Sequence, residues 1–239
     1  MRALIGLLLV LAACRADAAV PVCKSTTFET VAHIVCSVPR DALIELHLRA
    51  SDGTPLGQFD VLEKSIGQPL IMAMNAGMYH EDRSPVGLYV QNGEAVSPLV
   101  TRPGPGNFGL VPNGVFWSDG KQVHVTETLR FEEMDVTPEF ATQSGPMLVI
   151  EGALHPRFRS DSNSRKRRNG VGIVDDKVVF AISDAPVTFH HFGRLFRDEL
   201  GADNALFLDG SISRIYAPEL DRSERGSDLG PMVVIVDAP

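Results

Sequence analysis

The sequence predicts an α+β fold in which a mixed, largely antiparallel sheet carries a few packed helices within a single domain. Three observations predict it. Short β-branched or alternating apolar runs recur along the chain, turn dipeptides separate several neighbouring runs, and only two stretches combine helical spacing with a stop signal.

The runs are Thr30 to Cys36, Leu43 to Arg49, Leu70 to Met74, Val86 to Gln91, Val115 to Trp117 and Gln122 to Thr126. They resume at Met147 to Glu151, Gly170 to Val174, Val178 to Ser183, Leu206 to Leu208 and Met232 to Val236. Asn92-Gly93, Asp119-Gly120 and Asp175-Asp176 each stand between two runs and read as hairpin turns, which implies antiparallel pairing. The clearest helix is Thr188 to Leu200, with Thr188 as its cap, Phe192, Leu195, Phe196 and Glu199 at helical spacing, and Gly201 as its stop. A weaker helix runs from Leu56 to Gly67. No internal repeat, heptad or low-complexity linker divides the chain.

Composition narrows the function classes. The chain has 239 residues, 44% of them apolar, and a formal charge of −8. A chain of this size buries roughly 70% of the surface it exposes when unfolded, so neither metal nor a disulfide framework is required for stability. The negative balance disfavours nucleic acid and anionic lipid, so an anionic partner must meet a local cluster of Lys and Arg.

Residues 1–18 read as a secretory signal peptide: Arg2, then an uncharged stretch from Ala3 to Ala13 that is too short for a permanent span. Two cleavage sites compete. Cleavage before Cys14 would leave a lipidated cysteine and a membrane contact through that anchor, whereas Ala16-Asp17-Ala18 fits an ordinary site with cleavage after Ala18. Residues 19–239 then form an exported domain, periplasmic or extracellular. Cys23 and Cys36 are its remaining thiols, and in an oxidising compartment the economical reading pairs them in a disulfide.

Four segments join glycine to polar residues beside apolar runs, where a sheet delivers functional groups to a cleft. They are Asn75-Ala76-Gly77-Met78-Tyr79-His80, Gln143-Ser144-Gly145-Pro146, Arg168-Asn169-Gly170-Val171-Gly172 and Asp209-Gly210-Ser211-Ile212-Ser213. Asp209 ends the apolar run Ala205 to Leu208, a place a carboxylate joins when it is paired or catalytic. From Arg157 to Arg168 the chain carries six positive charges against one negative, which suits phosphate or carboxylate recognition. His80, beside Tyr79 and Glu81-Asp82, is a proton-transfer candidate, whereas His190 and His191 are adjacent on a helix and point to different faces. The G-x-S-x-G elbow, the phosphate-binding G-x-x-x-x-G-K-[ST] loop and H-E-x-x-H are missing from the sequence, and no G-x-G-x-x-G opens a helix, since Gly104-Pro105-Gly106 is a Pro-broken loop.

These four segments, in this order, resemble the phosphodiester glycosidase family over about Leu70 to Val236. Asn75 to Tyr79 is similar to the family's Asn-Gly-Gly-aromatic motif and Gln143 to Val149 to its Gly-Gly-x-Pro-x-Leu-Val motif. Arg168 to Gly172 is similar to Arg-Thr-Ala-x-Gly, and Leu208 to Ser213 to Leu-Asp-Gly-Gly-Gly-Ser-Ser. Met74 to Tyr79, Pro112-Asn113-Gly114-Val115-Phe116 and Ala141 to Pro146 look closest to an exported bacterial branch. Ser211-Ile212 stands where the family often has two further glycines, and Asn169 where it often has Thr.

The resemblance implies a hydrolase acting on a sugar-1-phosphodiester in cell-envelope or exopolysaccharide glycan metabolism. A phosphate monoester, with a second pKa near 6, leaves far more readily than a sugar alkoxide, so one carboxylate and an arginine suffice where ordinary glycosidases use two carboxyl groups. Asp209 is then the carboxylate acting at the anomeric carbon or on its attacking water. Arg168 stabilises the departing phosphate, and Asn75 and Ser144 hold phosphate or sugar oxygens. Gln143, Gly145, Gly77, Tyr79, His80, Asn113, Asn169, Gly210, Ser211 and Ser213 complete the expected substrate site. No cofactor is demanded, although Asp209 with Ser211 offers oxygen ligands to a divalent cation. The competing readings are a non-catalytic envelope protein that binds an anionic glycan through Arg157 to Arg168, and a phosphodiesterase that cleaves P–O. The sequence carries no signal of oligomeric state.

Overall fold

The computed structural model describes residues 22–210 and 212–236; the signal peptide with Cys14, and Ser211, lie outside the described residues. The strands in chain order are β1 (Val22–Phe28), β2 (Val31–Pro39), β3 (Ile44–His47), β4 (Leu70–Asn75), β5 (Tyr89–Gln91) and β6 (Glu94–Ser97). Next come β7 (Gly114–Ser118), β8 (Val123–Glu127), β9 (Phe140–Ser144), β10 (Met147–Ile150), β11 (Ala153–Leu154) and β12 (Asn169–Val174). The last are β13 (Lys177–Ser183), β14 (Asn204–Asp209), β15 (Ile215–Ala217), β16 (Arg222–Ser223) and β17 (Met232–Val236). Three α-helices accompany them: α1 (Phe59–Ile66), α2 (Thr128–Glu133) and α3 (Phe189–Arg194), the last continued by a π-helical turn over Leu195–Glu199.

The strands form three sheets. A seven-stranded sheet has the order β1-β2-β13-β12-β14-β10-β11, and two five-stranded sheets have the orders β16-β15-β4-β17-β3 and β6-β5-β9-β7-β8. Every strand pairing among the described residues is antiparallel, as the hairpin turns imply. The expected α+β architecture is therefore the one this chain adopts.

Period-two alternation divides each strand between two layers. One face of the seven-stranded sheet, with Ile34, Cys36, Val171, Phe180, Ile182, Leu206 and Leu208, packs on inward residues of both smaller sheets, among them Met72, Met74, Val233, Tyr89 and Phe116. Its opposite face, with Val35, Val179, Ala181 and Phe207, is covered by Phe192, Leu195 and Phe196 of α3 and its π-helical turn. Gly170 and Gly172 lie under this cover, where a β-carbon would meet the Phe192 or Phe196 rings. α1 covers the β4-β17 sheet with Phe59 and Leu62, and α2 covers the β7-β9 sheet with Phe131.

Local signals explain most boundaries. The Thr188 hydroxyl accepts from His191 N–H at 3.1 Å and caps α3, and Gly201 follows at a positive φ of 76°. Asn92 and Gly93, with φ of 53° and 75°, make the β5-β6 hairpin. Cys23 and Cys36 face each other across β1 and β2 and are disulfide-bonded. Sequence periodicity did not mark β1, β9 or α2. β9 contains Thr142, Gln143 and Ser144, polar residues that are nevertheless buried. α2 is started by the Glu127 carboxylate, which accepts from Leu129 and Arg130 N–H.

Candidate active site

Three strand ends converge beneath one surface of the molecule. Asn75 ends β4, Asn169 begins β12 and Asp209 ends β14, with Asn169 and Asp209 opposite each other in register. The register shifts between Asn169 and Gly170, whose partner is Phe207, so Leu208 has no cross-strand partner in β12. Such a bulge re-aims the residue beside it. The carbonyl of Leu208 accepts instead from the buried Ser144 hydroxyl at 2.8 Å, which ties the end of β9 to the strand that presents Asp209.

Asp209 is half-buried and held from two sides. Its Oδ2 accepts from Asn75 Nδ2 at 3.2 Å and its Oδ1 from Gly210 N–H at 2.5 Å. Its own N–H donates to Asn169 Oδ1 at 2.8 Å. The orientation of Asn75 is dictated by its surroundings: Oδ1 accepts from Arg214 N–H at 2.9 Å and from Asn169 Nδ2 at 3.1 Å, so its amide nitrogen must face Asp209. Asn169 Nδ2 also donates to the Asn75 carbonyl at 2.7 Å. The Ser213 hydroxyl lies 2.6 Å from Gly210 O and closes the loop after Asp209. Asn169 thus couples the end of β4 to the end of β14.

Burial pushes the Asp209 carboxyl up to about 6, opposed by the Gly210 N–H and the Asn75 amide. Near neutral pH the group is a carboxylate with raised basicity, suited to accepting a proton.

Tyr79 extends the cluster. Its ring packs on Gly230, where a β-carbon would come within 2.5 Å, and its hydroxyl donates to Asp228 O at 3.0 Å. Burial raises the Tyr79 hydroxyl's pKa, followed by the Asp209 charge, while Arg83 and Arg214 act in the opposite direction. Arg214 is 5% exposed and reaches Gln58 Oε1, Gly57 O and Ser227 O. The sequence signal for Arg214 was its place directly after the Asp209 to Ser213 loop; Arg83 had only its place beside Asp82-Ser84 in a turn.

Several expected site residues serve as scaffold. Gln143 uses its whole side-chain amide: Oε1 accepts from Leu88 and Val100 N–H, and Nε2 reaches Val100 O and Thr128 Oγ1. Asn113 Nδ2 donates to Phe108 O at 3.0 Å, and a β-carbon on Gly145 would lie 2.5 Å from that of Asn113. Gly77 faces Thr142, whose hydroxyl donates to Ala76 O. His80 is exposed, in the turn where its N–H donates to Ser84 O. Gln143 and Ser144, expected at the substrate, use their side chains to tie β9 to neighbouring segments, and Asn113 bonds to the Phe108 carbonyl.

Arg168, expected to stabilise the departing phosphate, sits deep in the fold. It is 1% exposed, its Nε donates to Val187 O at 2.9 Å and its Nη2 to Ser164 O at 3.2 Å. The guanidinium carbon lies 3.5 Å from the Phe189 ring centroid, and burial lowers the group to about 10. No hydrogen bond or ion pair joins it to Asp209 among the described residues. Packed in this way, it pins the 156–168 loop to the start of α3, while its buried Nη1 has no hydrogen-bond partner among the described residues. The rest of the basic run is divided: Arg159 pairs with Asp161 and Arg167 with Glu224, while Arg157, Arg165 and Lys166 are exposed.

Among the described residues no group of three or more His, Cys, Asp or Glu is placed to hold a metal ion. A groove of about 510 Å³ between α2 and Ile150 is lined by Asn204, at the far end of β14 from Asp209, and so is remote from this cluster.

Comparison with known proteins bears on the family and the fold. A family model described as phosphodiester glycosidase matches residues 68–225, a span that includes Asn75, Asn169 and Asp209. A curated relative, the Uncharacterized protein YigE of Escherichia coli (strain K12), is 34% identical over 181 residues, covering 74% of this chain and 71% of the relative. The fold is similar to the zebrafish N-acetylglucosamine-1-phosphodiester alpha-N-acetylglucosaminidase catalytic domain auto-inhibited by pro-peptide. That match has a TM-score of 0.61 at 13% identity and covers 92% of this chain and 82% of the other. A hypothetical protein from Synechocystis matches with a TM-score of 0.55 at 14% identity, covering 90% of this chain and 61% of that one.

Proposed function

Because this chain belongs to the phosphodiester glycosidase family, we propose that it hydrolyses a sugar-1-phosphodiester at the anomeric carbon, with Asp209 as the catalytic carboxylate. The observation that carries this reading is the Asp209 carboxyl, held by Asn75 and Gly210 and raised to about 6. In the reaction a water oxygen attacks the anomeric carbon and its proton passes to Asp209. The bond from that carbon to the phosphate oxygen breaks, its electron pair leaves with the phosphate, and the products are a reducing sugar and a phosphate monoester. The monoester is a weak base and needs little protonation on departure, which suits a site with a single carboxylate in its centre.

Asn75 and Asn169 act as positioning residues that hold the carboxylate and its strand end. Arg168 contributes by fixing the strand that carries Asn169. A divalent cation remains part of the proposal only as a ligand of the Asp209 loop, because the amide oxygens of Asn75 and Asn169 already accept hydrogen bonds. The Cys23–Cys36 disulfide supports an oxidising compartment, in keeping with export to the periplasm or beyond, by a cleaved signal peptide or with a lipid anchor at Cys14, for work on envelope glycans.

The test is a product assay on a panel of sugar-1-phosphodiesters with wild type and Asp209→Asn, both checked for folding by circular dichroism. The expected result is release of reducing sugar by wild type alone, with heavy oxygen from labelled water appearing in the sugar. Label in the phosphate would assign P–O cleavage, and equal turnover by Asp209→Asn would remove Asp209 from the chemistry. Binding without turnover across the panel would favour the glycan-binding reading.

A further inference from the structure

Four arginines lie around the Asp209 cluster, and three have carboxylate, amide or carbonyl partners. Arg167 makes two hydrogen bonds to Glu224 at 2.7 Å, Arg168 is bonded to the Val187 and Ser164 carbonyls across the Phe189 ring, and Arg214 is bonded to Gln58 and two backbone carbonyls, with Arg168 Nη1 and Arg214 Nε left unpaired among the described residues. Arg83 differs. Its guanidinium carbon lies 5.3 Å from the Tyr79 ring centroid, the residue is half-buried, and its side chain has no carboxylate or carbonyl partner among the described residues.

The turn holds Arg83 in this state by construction. Tyr79 and Pro85 form a bridge, His80 N–H donates to Ser84 O, and Arg83 N–H donates to His80 O. The neighbouring Asp82 carboxylate makes no ion pair with the guanidinium among the described residues: its Oδ1 accepts from Ser84 N–H at 3.0 Å and from the Ser84 hydroxyl at 2.6 Å. Arg83 also adopts a φ of 70°, a conformation that favours glycine, so the chain retains a long cationic side chain where the backbone would be easier without one. The aromatic face below it belongs to the residue on which the Asp209, Arg83 and Arg214 charges all act.

We propose that Arg83, poised over the Tyr79 ring at the rim of the Asp209 site, engages the phosphate of the substrate and so selects a phosphodiester over a neutral glycoside. This rests on the hydrolase reading given above for the substrate, and on the Arg83 geometry alone for the anion. A guanidinium fork matches two non-bridging phosphate oxygens. As the anomeric C–O bond breaks, the phosphate goes from one negative charge toward two, so the contact strengthens along the reaction.

The test uses the full mature protein with glycerol 3-phosphate as the phosphate monoester probe, measured by titration calorimetry, alongside turnover of a sugar-1-phosphodiester. Arg83→Gln keeps the size, Arg83→Lys keeps the charge, and Arg83→Gly relieves the backbone. We expect Arg83→Gln and Arg83→Gly to bind the probe at least about tenfold more weakly, the ratio expected for a lost charge-assisted hydrogen bond. Arg83→Lys should recover part of the affinity, and Arg83→Gly should melt no lower than wild type. Wild-type affinity in both Arg83→Gln and Arg83→Gly, or no probe binding by wild type, overturns the proposal even if phosphodiesters are hydrolysed. Arg83-dependent binding in a protein that hydrolyses no phosphodiester upholds the anion site and refutes the hydrolase reading instead.

Discussion

Replacing Asp209 by asparagine is expected to stabilise the protein at neutral pH while abolishing turnover. A carboxyl that ordinarily titrates at 3.8 and here titrates at about 6 is more easily protonated in the folded chain than in the unfolded one. Its contribution is therefore full below pH 3.8 and is lost as the pH rises through about 6. At about 1.4 kcal/mol per pH unit, ionising it in place costs roughly 3 kcal/mol above that range. Asparagine escapes this cost but has a single acceptor oxygen, so either the Gly210 N–H or the Asn75 amide loses its partner, at about 1 kcal/mol. With a further discount for residual solvent contact, the net gain is about 1–2 kcal/mol at pH 7.5. Urea melts of both proteins at pH 7.5 and pH 3.5 measure it, and the difference between variants cancels the paired carboxylates common to both. Equal or lower stability of Asp209→Asn at pH 7.5, or a gap that does not shrink at pH 3.5, would refute the reasoning.

Three more predictions rest on the same network and on the first hairpin. The rate kcat/KM on a phosphodiester should rise with pH through an inflection near 6, because Asp209 acts as the anion, and Asn75→Ala should move that inflection upward by removing a hydrogen bond that favours the charged form; a profile flat from pH 5 to pH 7.5 contradicts both. The double variant Cys23→Ser, Cys36→Ser frees a cross-link between residues 13 apart and should lose roughly 3 kcal/mol, a fall in Tm of roughly 6–12 °C by differential scanning calorimetry. An unchanged Tm would show that the β1-β2 ladder alone holds this hairpin.

How far the sequence could be read depended on whether a residue's role was set locally. Strands such as Val178 to Ser183 and the three hairpin turns announce themselves through alternation and turn chemistry, and the structure forms them. Asp209 ends Ala205 to Leu208, where a carboxylate reads either as an Asp-Gly turn or as a paired or catalytic group, and the structure bonds it to the Asn75 amide. Thr142, Gln143 and Ser144 look like a polar loop, yet they form β9, because their side chains find partners on Ala76, Val100, Thr128 and Leu208, far away in the chain. The surroundings of Arg168 are not announced by its company. A run of cations suggests anion binding, and nothing local shows that this one lies across the Phe189 ring, with its side chain bonded to the Val187 carbonyl. Arg83, single and inside a turn, gave no signal until Tyr79 was seen beneath it.

The position of β17 has a consequence for the order in which this protein comes to life. Synthesis proceeds from residue 1, but β17 lies between β3 and β4, with Met232 registered opposite Asn75, and Pro231 O accepts the Ala76 N–H. A nascent chain stopped short of residue 231 contains both Asp209 and Asn75, but the strand that sets Asn75 at its height is still missing. Gly230, which makes room for the Tyr79 ring, arrives equally late. The setting of Asn75 beside Asp209 is thus completed only by the segment from Gly230 to Val236.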